Sequence, residues 1–302
     1  MKLRLIIFLF SLLLSTSVEA ATRYVRVDGG TPTGVSGTIV CNGTVDAPAT
    51  VGNSPNCAYN HYNWAIPAMG QPTTYKISTS DTLIIGPGSY RGGCQGTADC
   101  RDVTKNYSGT TCNAAATYDC ANHTVPSGSL ANYTKIYGCS DTGCGTGAKP
   151  ELWFAGGRNT SGFDLTGTSY VEFKDLNVTD HSGHDYYDTS AAACQNQGIN
   201  SVCASNGFVG TGGGWHHLKF SGVNIHGFRD NGFWLSGGGA SSPDIAFEFI
   251  DSNIDGNGFS GWNADRCDNN GQCGFQGNIT FRRSTIRWNG CVEAYPVNAH
   301  AD

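Results

Sequence analysis

A pattern that returns four times between Ser169 and Glu293 restricts the possible folds of this chain more than any other feature. Each unit holds a phenylalanine, an asparagine or threonine four residues later, and a β-branched aliphatic residue directly after that. The three columns are Phe173, Phe220, Phe249 and Phe281; Asn177, Asn224, Asn253 and Thr285; and Val178, Ile225, Ile254 and Ile286. The phenylalanines are 47, 29 and 32 residues apart. Repeats of this length are typical of solenoids, in which no unit buries its own apolar face.

The alternation of apolar and polar residues inside each unit predicts β-strands. Val171 and Phe173 are expected to point to one side of a strand, and Glu172 and Lys174 to the other. If the units stack as parallel strands about 4.8 Å apart, the phenylalanines and the aliphatics form two interior columns. The asparagines then form a third column, in which each side-chain amide bonds to the next. Asn-Gly pairs are expected to turn the chain at positive φ, at Asn231-Gly232, Asn257-Gly258 and Asn289-Gly290.

These columns resemble the right-handed parallel β-helix of the pectin-lyase-like superfamily, over roughly Thr73 to Tyr295. The strand and turn Leu83-Ile84-Ile85-Gly86-Pro87-Gly88, followed by Tyr90, resembles the first coil of secreted members. The resemblance implies an all-β solenoid of three-strand coils. We therefore expect three regions: a signal peptide at 1–20, an N-terminal strand and capping segment at 21–72, and a parallel β-helix domain with disulfide-stapled loops at 73–302. The helix is expected to be truncated at the C-terminus, because no capping element follows the last unit.

Enzymes of that superfamily mostly cut acidic polysaccharides, as lyases that use calcium and a basic residue or as hydrolases with paired carboxylates. The hydrolase motifs Asn-Thr-Asp, Asp-Asp, Gly-His-Gly and Arg-Ile-Lys are absent apart from the partial match Gly183-His184-Asp185, and no lyase motif matches. The resemblance therefore implies a polysaccharide partner and leaves three classes open. These are a lyase or glycoside hydrolase of acidic polysaccharides, a non-catalytic carbohydrate-binding or adhesive cell-surface protein, and a structural solenoid.

The N-terminus predicts export. Lys2 and Arg4 precede an apolar run from Leu5 to Leu14, which is too short to span a bilayer, and Ala20 ends a typical signal peptide. We expect a secreted, periplasmic or cell-surface protein without a membrane span. The net charge is −6, so nothing favours nucleic acid as a partner, and we expect a monomer.

Thirteen cysteines agree with an oxidising compartment. The short separations suggest pairs that staple loops, with free buried thiols as the alternative. Those pairs are Cys41 with Cys57, Cys94 with Cys100, Cys112 with Cys120, Cys139 with Cys144, Cys194 with Cys203, and Cys267 with Cys273. Cys291 is left over, and a partner beyond Asp302 would complete it.

The densest polar cluster lies between Asp180 and Asp188, with three carboxylates and two imidazoles. Asp180, Asp185 and Asp188 are candidate ligands for calcium, the only cofactor we expect. The alternatives are a transition-metal site at the two histidines, a general acid and base, and a solvated loop, because the spacing matches no established metal loop.

A second group of polar and aromatic residues follows the aliphatic column. The candidate catalytic residues are Asp230, Asp255, Asp265, Arg266 and Glu293, since a glycosidase needs two carboxyl groups about 5 to 10 Å apart. The candidate substrate-binding residues are Trp234, Trp262, Arg287, Trp288 and Tyr295, because aromatic faces pack on sugars and arginine binds acidic groups. The alternative is turn chemistry for the acids and core packing for the aromatics.

Two further polar sets are not expected to form a site. Glu172, Lys219, Glu248 and Thr280 occupy one outward position on successive strands and predict a ladder of exposed pairs. His216 and His217 are adjacent, and adjacent residues on a strand face opposite sides, so they are not expected to bind one metal ion.

Overall fold

A computed structural model describes residues 20–32, 39–66, 77–92, 123–139, 149–154, 161–179, 206–211, 214–228, 230–236, 245–258, 260–266 and 278–289. These residues contain eighteen strands and one 3-10 helix, Tyr62–Trp64. The strands are β1 Thr22–Gly30, β2 Thr82–Ile85, β3 Ser89–Gly92, β4 His123–Thr124, β5 Thr134–Gly138, β6 Glu151–Phe154, β7 Ser161–Asp164, β8 Ser169–Lys174, β9 Asn177–Thr179, β10 Asn206–Thr211, β11 His216–Ser221, β12 Asn224–His226, β13 Asn231–Ser236, β14 Ile245–Ile250, β15 Asn253–Asp255, β16 Ser260–Arg266, β17 Asn278–Arg282 and β18 Thr285–Arg287. The signal-peptide prediction falls on residues outside these ranges, apart from Ala20. In the described part of the chain, no helix has the length and apolar character to cross a membrane.

The strands form three sheets in which every neighbouring pair is parallel. Sheet one has the order β1-β2-β5-β8-β11-β14-β17, sheet two the order β3-β6-β9-β12-β15-β18, and sheet three the order β4-β7-β10-β13-β16. From β2 onwards the chain visits sheets one, two and three in turn, and one such round is a coil. The predicted parallel β-helix of three-strand coils is confirmed.

The phenylalanine column lies inside the coils, as predicted, except that Phe281 in the last described coil is 42% exposed. Phe173, Phe220, Phe249 and Phe281 are paired in register along sheet one. Their rings stack nearly parallel, with centroid distances of 5.1, 4.9 and 4.8 Å between successive members. Phe208 and Phe233 of sheet three meet this stack edge to face, so two sheets share one aromatic interior.

The aliphatic and asparagine columns are also confirmed, on sheet two. Val178, Ile225, Ile254 and Ile286 are paired in register. On the outer side, Asn224 donates to Asn177 Oδ1 at 2.8 Å, and Asn253 donates to Asn224 Oδ1 at 3.0 Å. These asparagines are half-buried, so water can reach this ladder.

The prediction of positive φ at the Asn-Gly pairs is wrong for Asn231-Gly232 and Asn257-Gly258, while Gly290 of the third pair lies outside the described residues. Asn257 and Asn289 are stacked, with a hydrogen bond of 2.9 Å between their side chains. Asn231 lies instead at the start of β13, where it donates to Asn206 Oδ1 at 2.8 Å. Neither Gly232 nor Gly258 has positive φ; Gly227 and Gly256, at 78° and 61°, make the bend. The two pairs differ because Asn257 lies within the connection from sheet two to sheet three, whereas Asn231 begins the strand that follows the same connection one coil earlier.

A column of glycines explains the pair at Asn231-Gly232. In β7, β10, β13 and β16 of sheet three, a glycine follows the polar first residue; these glycines are Gly162, Gly207, Gly232 and Gly261. A Cβ atom on Gly232 would lie 2.6 Å from Ile254 Cγ2 and 2.7 Å from the carbonyl oxygen of Gly261. Glycine is therefore required here by close packing between sheets two and three.

The connection from sheet one to sheet two is a two-residue turn in four successive coils. It lies between β8 and β9, β11 and β12, β14 and β15, and β17 and β18. Its first residue has left-handed φ each time: 53° at Asp175, 64° at Gly222, 51° at Asp251 and 50° at Arg283. The connections from sheet two to sheet three and from sheet three to sheet one vary in length. The constant turn from sheet one to sheet two therefore keeps successive coils in register.

The N-terminal segment packs against the first coils. β1 pairs with β2 in sheet one, and the Tyr62 ring contacts those of His123 and Phe154, at 5.1 and 6.1 Å. The predicted Cys41–Cys57 disulfide is confirmed. Cys139 is also disulfide-bonded, while its expected partner and the other predicted pairs lie outside the described residues, as does Cys291.

Candidate active site on the outer face of sheet two

The position after the aliphatic residue carries a different polar side chain in each of the last four strands of sheet two. Thr179, His226, Asp255 and Arg287 are paired in register on β9, β12, β15 and β18. Because side chains alternate along a strand, these residues lie on the side opposite the aliphatics; Thr179 is buried there, His226 and Asp255 are half-buried, and Arg287 is exposed. Neighbouring strands are about 4.8 Å apart, so an imidazole, a carboxylate and a guanidinium follow one another along the helix axis. We call these four residues and Trp288 the outer column.

Contacts within the outer column join its members in pairs. Arg287 Nε lies 3.7 Å from Asp255 Oδ2, with the two side chains 51% and 25% exposed. An ion pair this long and this exposed contributes little to folding. Thr179 Oγ1 lies 3.4 Å from His226 Nδ1. Because its ion pair with Asp255 is weak, the guanidinium of Arg287 can pair instead with an anion that arrives from solvent.

The end of the outer column offers an aromatic surface. The indole of Trp288 is 66% exposed, and Arg287 Cζ lies 4.0 Å from its ring centroid. A cation over an aromatic face keeps both groups in place without removing the charge from water. This corner can therefore meet a ligand that has an apolar ring face and a negative group.

The structure brings together three of the residues that the sequence singled out: Asp255, Arg287 and Trp288. Asp230 lies at the connection between sheets two and three, where its carbonyl oxygen accepts from Ser260 N at 3.1 Å. It lies four residues after His226, the last residue of β12.

Two other tryptophans that were predicted to bind substrate lie away from the outer column. Trp234 is half-buried on sheet three, opposite Val209 and Asn263. The Trp262 ring packs on core phenylalanines, 5.1 Å from Phe233 and 4.9 Å from Phe247. Trp262 is thus part of the interior packing and is not on the side wall with Trp288.

The remaining predicted site residues cannot be placed. Asp265 and Arg266 belong to β16, but their side chains are not among those described. Glu293, Tyr295 and the proposed calcium ligands Asp180, Asp185 and Asp188 lie outside the described residues. In the ranges that are described, no three His, Cys, Asp or Glu side chains are grouped as metal ligands.

Sequence reasoning missed His226 and Thr179. The repeat contained the signal, because both occupy the place that Asp255 and Arg287 hold in later units. The outer column combines an imidazole, which exchanges protons near neutral pH, with a carboxylate and an anion-binding guanidinium. Such a set can perform general acid–base chemistry on an anionic substrate.

No family model and no curated protein matches the sequence. Among solved structures, a rhamnogalacturonan lyase is similar at 12% sequence identity, over 88% of this chain and 62% of that chain, with a TM-score of 0.36. This chain thus covers less than two thirds of the length of that structure. The three parallel sheets themselves establish a parallel β-helix, the architecture of the pectin-lyase-like superfamily that the repeats resemble.

Proposed function

We propose that this protein binds an acidic polysaccharide along sheet two and cleaves it by β-elimination at the outer column. The observation that carries the proposal is the register of His226, Asp255 and Arg287 on three neighbouring strands. A polymer lying along the helix axis would meet a proton acceptor, a carboxylate and a cation in succession. Fold alone does not assign this chemistry.

Arg287 binds the carboxylate of a uronate residue. Arginine binds carboxylates through two parallel hydrogen bonds, and its pairing with Asp255 is weak enough to exchange. The cation also stabilises the charge that develops on the uronate when the neighbouring carbon loses its proton. In a chain with a net charge of −6, such a local cation is needed to hold an acidic polymer.

His226 acts as the general base. It removes the proton on the carbon next to the carboxylate; a carbon–carbon double bond forms, the glycosidic C–O bond on the adjacent carbon breaks, and the released oxygen takes a proton from the imidazolium. Asp255, on the neighbouring strand, stabilises the imidazolium. Trp288 supplies a face for a sugar ring.

We favour β-elimination over hydrolysis because Asp255 is the one acid among the five described residues of the outer column, whereas hydrolases use two carboxyl groups. Calcium bound by Asp180, Asp185 and Asp188 would assist the neutralisation of the substrate. The exposed Trp288 with the guanidinium above it also suits a non-catalytic carbohydrate-binding protein, which is the second candidate function.

The test is incubation of the purified protein with pectic, alginate and glycosaminoglycan polymers, with and without calcium. Ultraviolet absorbance of the new double bond and reducing ends are both measured. We expect both signals from at least one uronate polymer. Reducing ends without the absorbance would replace elimination by hydrolysis, and retention of a polymer without either signal would support the binding function.

Variants then test the assignment. His226→Gln should lower kcat/KM by about 100-fold or more, the range for loss of a general base, and Arg287→Gln should do so through both kcat and KM. Arg282→Gln is the matched control, because Arg282 pairs with Glu248 at 3.3 Å on the neighbouring strand of sheet one. Unchanged activity in the first two variants, or an equal loss in the control, would refute the outer column as the active site.

A further inference from the structure

Two adjacent histidines on sheet one lie side by side, although the sequence predicted opposite directions. His216 and His217 begin β11, and their Nδ1 atoms are 2.8 Å apart. The reason is the left-handed backbone of His217, with φ of 53°, which interrupts the alternation of the strand. The expectation that these two rings face opposite sides is wrong.

The interruption is built into two successive coils. Tyr170, one coil earlier, has φ of 54°. Ser169 pairs with His216 and Val171 with Leu218, so Tyr170 and His217 both lie outside the pairing. A left-handed conformation costs a residue with a Cβ atom about 1–2 kcal/mol. Such conformations persist where the surroundings support them, and they are concentrated at functional sites.

Aromatic packing fixes the orientation of both imidazoles. The Tyr170 ring stacks on His217 at 4.6 Å and 22°, and meets His216 edge to face at 5.1 Å and 89°. Tyr133 supports Tyr170 from the coil before, at 5.7 Å. The two rings are therefore held in place by the protein before any ligand binds.

We propose that His216 and His217 bind a divalent transition-metal ion through their two Nδ1 atoms. Metal–imidazole bonds are about 2.0–2.1 Å long, so nitrogens 2.8 Å apart subtend an angle of about 90° at a shared ion. That is the angle between neighbouring ligands in square-planar or octahedral coordination, and it is smaller than the tetrahedral angle of zinc sites. The site therefore selects Cu²⁺ and Ni²⁺ over Zn²⁺, with water in the remaining positions.

The surrounding charges are compatible with a cation. Lys219 is on the same outer face, and its Nζ lies 4.5 Å from the centroid of the Tyr133 ring. Glu172 and Glu248 flank Lys219 on the two neighbouring strands. Without metal, the 2.8 Å contact is a hydrogen bond between the imidazoles, so the ion replaces the proton that they share. Binding therefore releases a proton and weakens as the pH falls.

The test is calorimetric titration of the protein, without an affinity tag, with Cu²⁺, Ni²⁺ and Zn²⁺ separately. We expect Cu²⁺ to bind at least tenfold more tightly than Zn²⁺. His217→Asn is the central variant, since asparagine tolerates left-handed φ and the fold is retained. It should weaken Cu²⁺ binding at least tenfold, as should His216→Gln. Electron paramagnetic resonance of the Cu²⁺ complex should detect two coupled nitrogens.

The matched control is His226→Gln, which removes a half-buried histidine from the outer side of sheet two. Its Cu²⁺ affinity should equal that of the unaltered protein. The proposal is overturned if His217→Asn, shown by circular dichroism to be folded, keeps full Cu²⁺ affinity. It is also overturned if His226→Gln causes the loss, or if the resonance spectrum detects one nitrogen.

Discussion

The inner face of sheet one and the outer face of sheet two arise from the same repeat, but they differ in how far side chains change from coil to coil. Inside, one position is phenylalanine four times, with rings 4.8 to 5.1 Å apart. Outside, the outer column changes from threonine to histidine, aspartate and arginine. A close-packed ring needs neighbours of the same shape, whereas an outward side chain needs only a strand beneath it. In this protein, a column that repeats one residue type indicates packing in the core. A column in which the residue type changes indicates side chains that are available for binding or catalysis.

The largest expected effect is at the centre of the phenylalanine column. Phe220→Ala should lower the free energy of unfolding by about 3–5 kcal/mol, because the ring contacts phenylalanines above, below and across the interior. Lys219→Ala, the next residue but outward, should change it by about 0.5 kcal/mol or less. Denaturant unfolding of both variants measures the difference. Similar losses would mean that the two faces do not differ as described.

The second effect depends on pH. Burial lowers the pKa of His123 to about 4, whereas histidine in an unfolded chain has a pKa near 6.5. The unfolded chain therefore takes up the proton first as the pH falls. Stability is complete above about pH 6.5 and declines by on the order of 3 kcal/mol by pH 4.

Replacement of His123 should flatten this pH dependence. His123→Phe suits the aromatic surroundings, with Phe154 5.5 Å and Phe163 6.0 Å away. Unfolding measured from pH 7 to 4 should be less pH-dependent in His123→Phe than in the unaltered protein. Tyr62→Phe is the control and should keep the original pH dependence. An unchanged dependence in His123→Phe would show that the histidine is not the source.

The third effect compares two amide ladders. Asn231→Ala leaves the buried Asn206 Oδ1 and Ser260 Oγ without their partner, at about 1–3 kcal/mol. Asn253→Ala breaks the half-buried ladder on the outer side of sheet two, where water replaces the lost bonds, so its effect should be smaller. Denaturation of the two variants ranks them. The reverse order would contradict the inside–outside distinction.

The smallest effect is at the turn from sheet one to sheet two. Arg283 donates to both carboxylate oxygens of Asp251, at 2.6 and 2.7 Å, but both side chains are more than half exposed. Arg283→Gln should leave the free energy of unfolding unchanged within error. The ion pair does lower the pKa of Asp251, so nuclear magnetic resonance titration should find that pKa higher in the variant. A clear loss of stability would show that this turn depends on its charges.

The inner columns could be predicted because repeated apolar positions have few alternatives. The residues equivalent to Phe249 and Ile254 keep the same spacing in every unit, and parallel stacking follows from that spacing. The outer column as a whole was not predicted from the sequence, because its members share no residue type. His226 differs from Asp255 as a side chain, and only the register makes them equivalent.

Backbone conformation limited the remaining predictions. The left-handed φ at His217 reverses the direction expected from alternation, and histidine gives little sign of that conformation. Asn231-Gly232 and Asn257-Gly258 have identical letters, yet the first is required by close packing and the second by a side-chain ladder. Single-sequence reasoning cannot separate these causes, because they depend on the neighbouring coil.

The constant two-residue turn makes the molecule modular. Gly222 and Asp251 occupy equivalent positions in successive coils, because each is the first residue of this turn and has left-handed φ. Duplication of residues 222–250 would add one strand to each sheet and keep every column aligned. Sheet two would then lengthen by about 4.8 Å along the helix axis per added coil, so gene duplication could extend its outer surface without redesign of the interior.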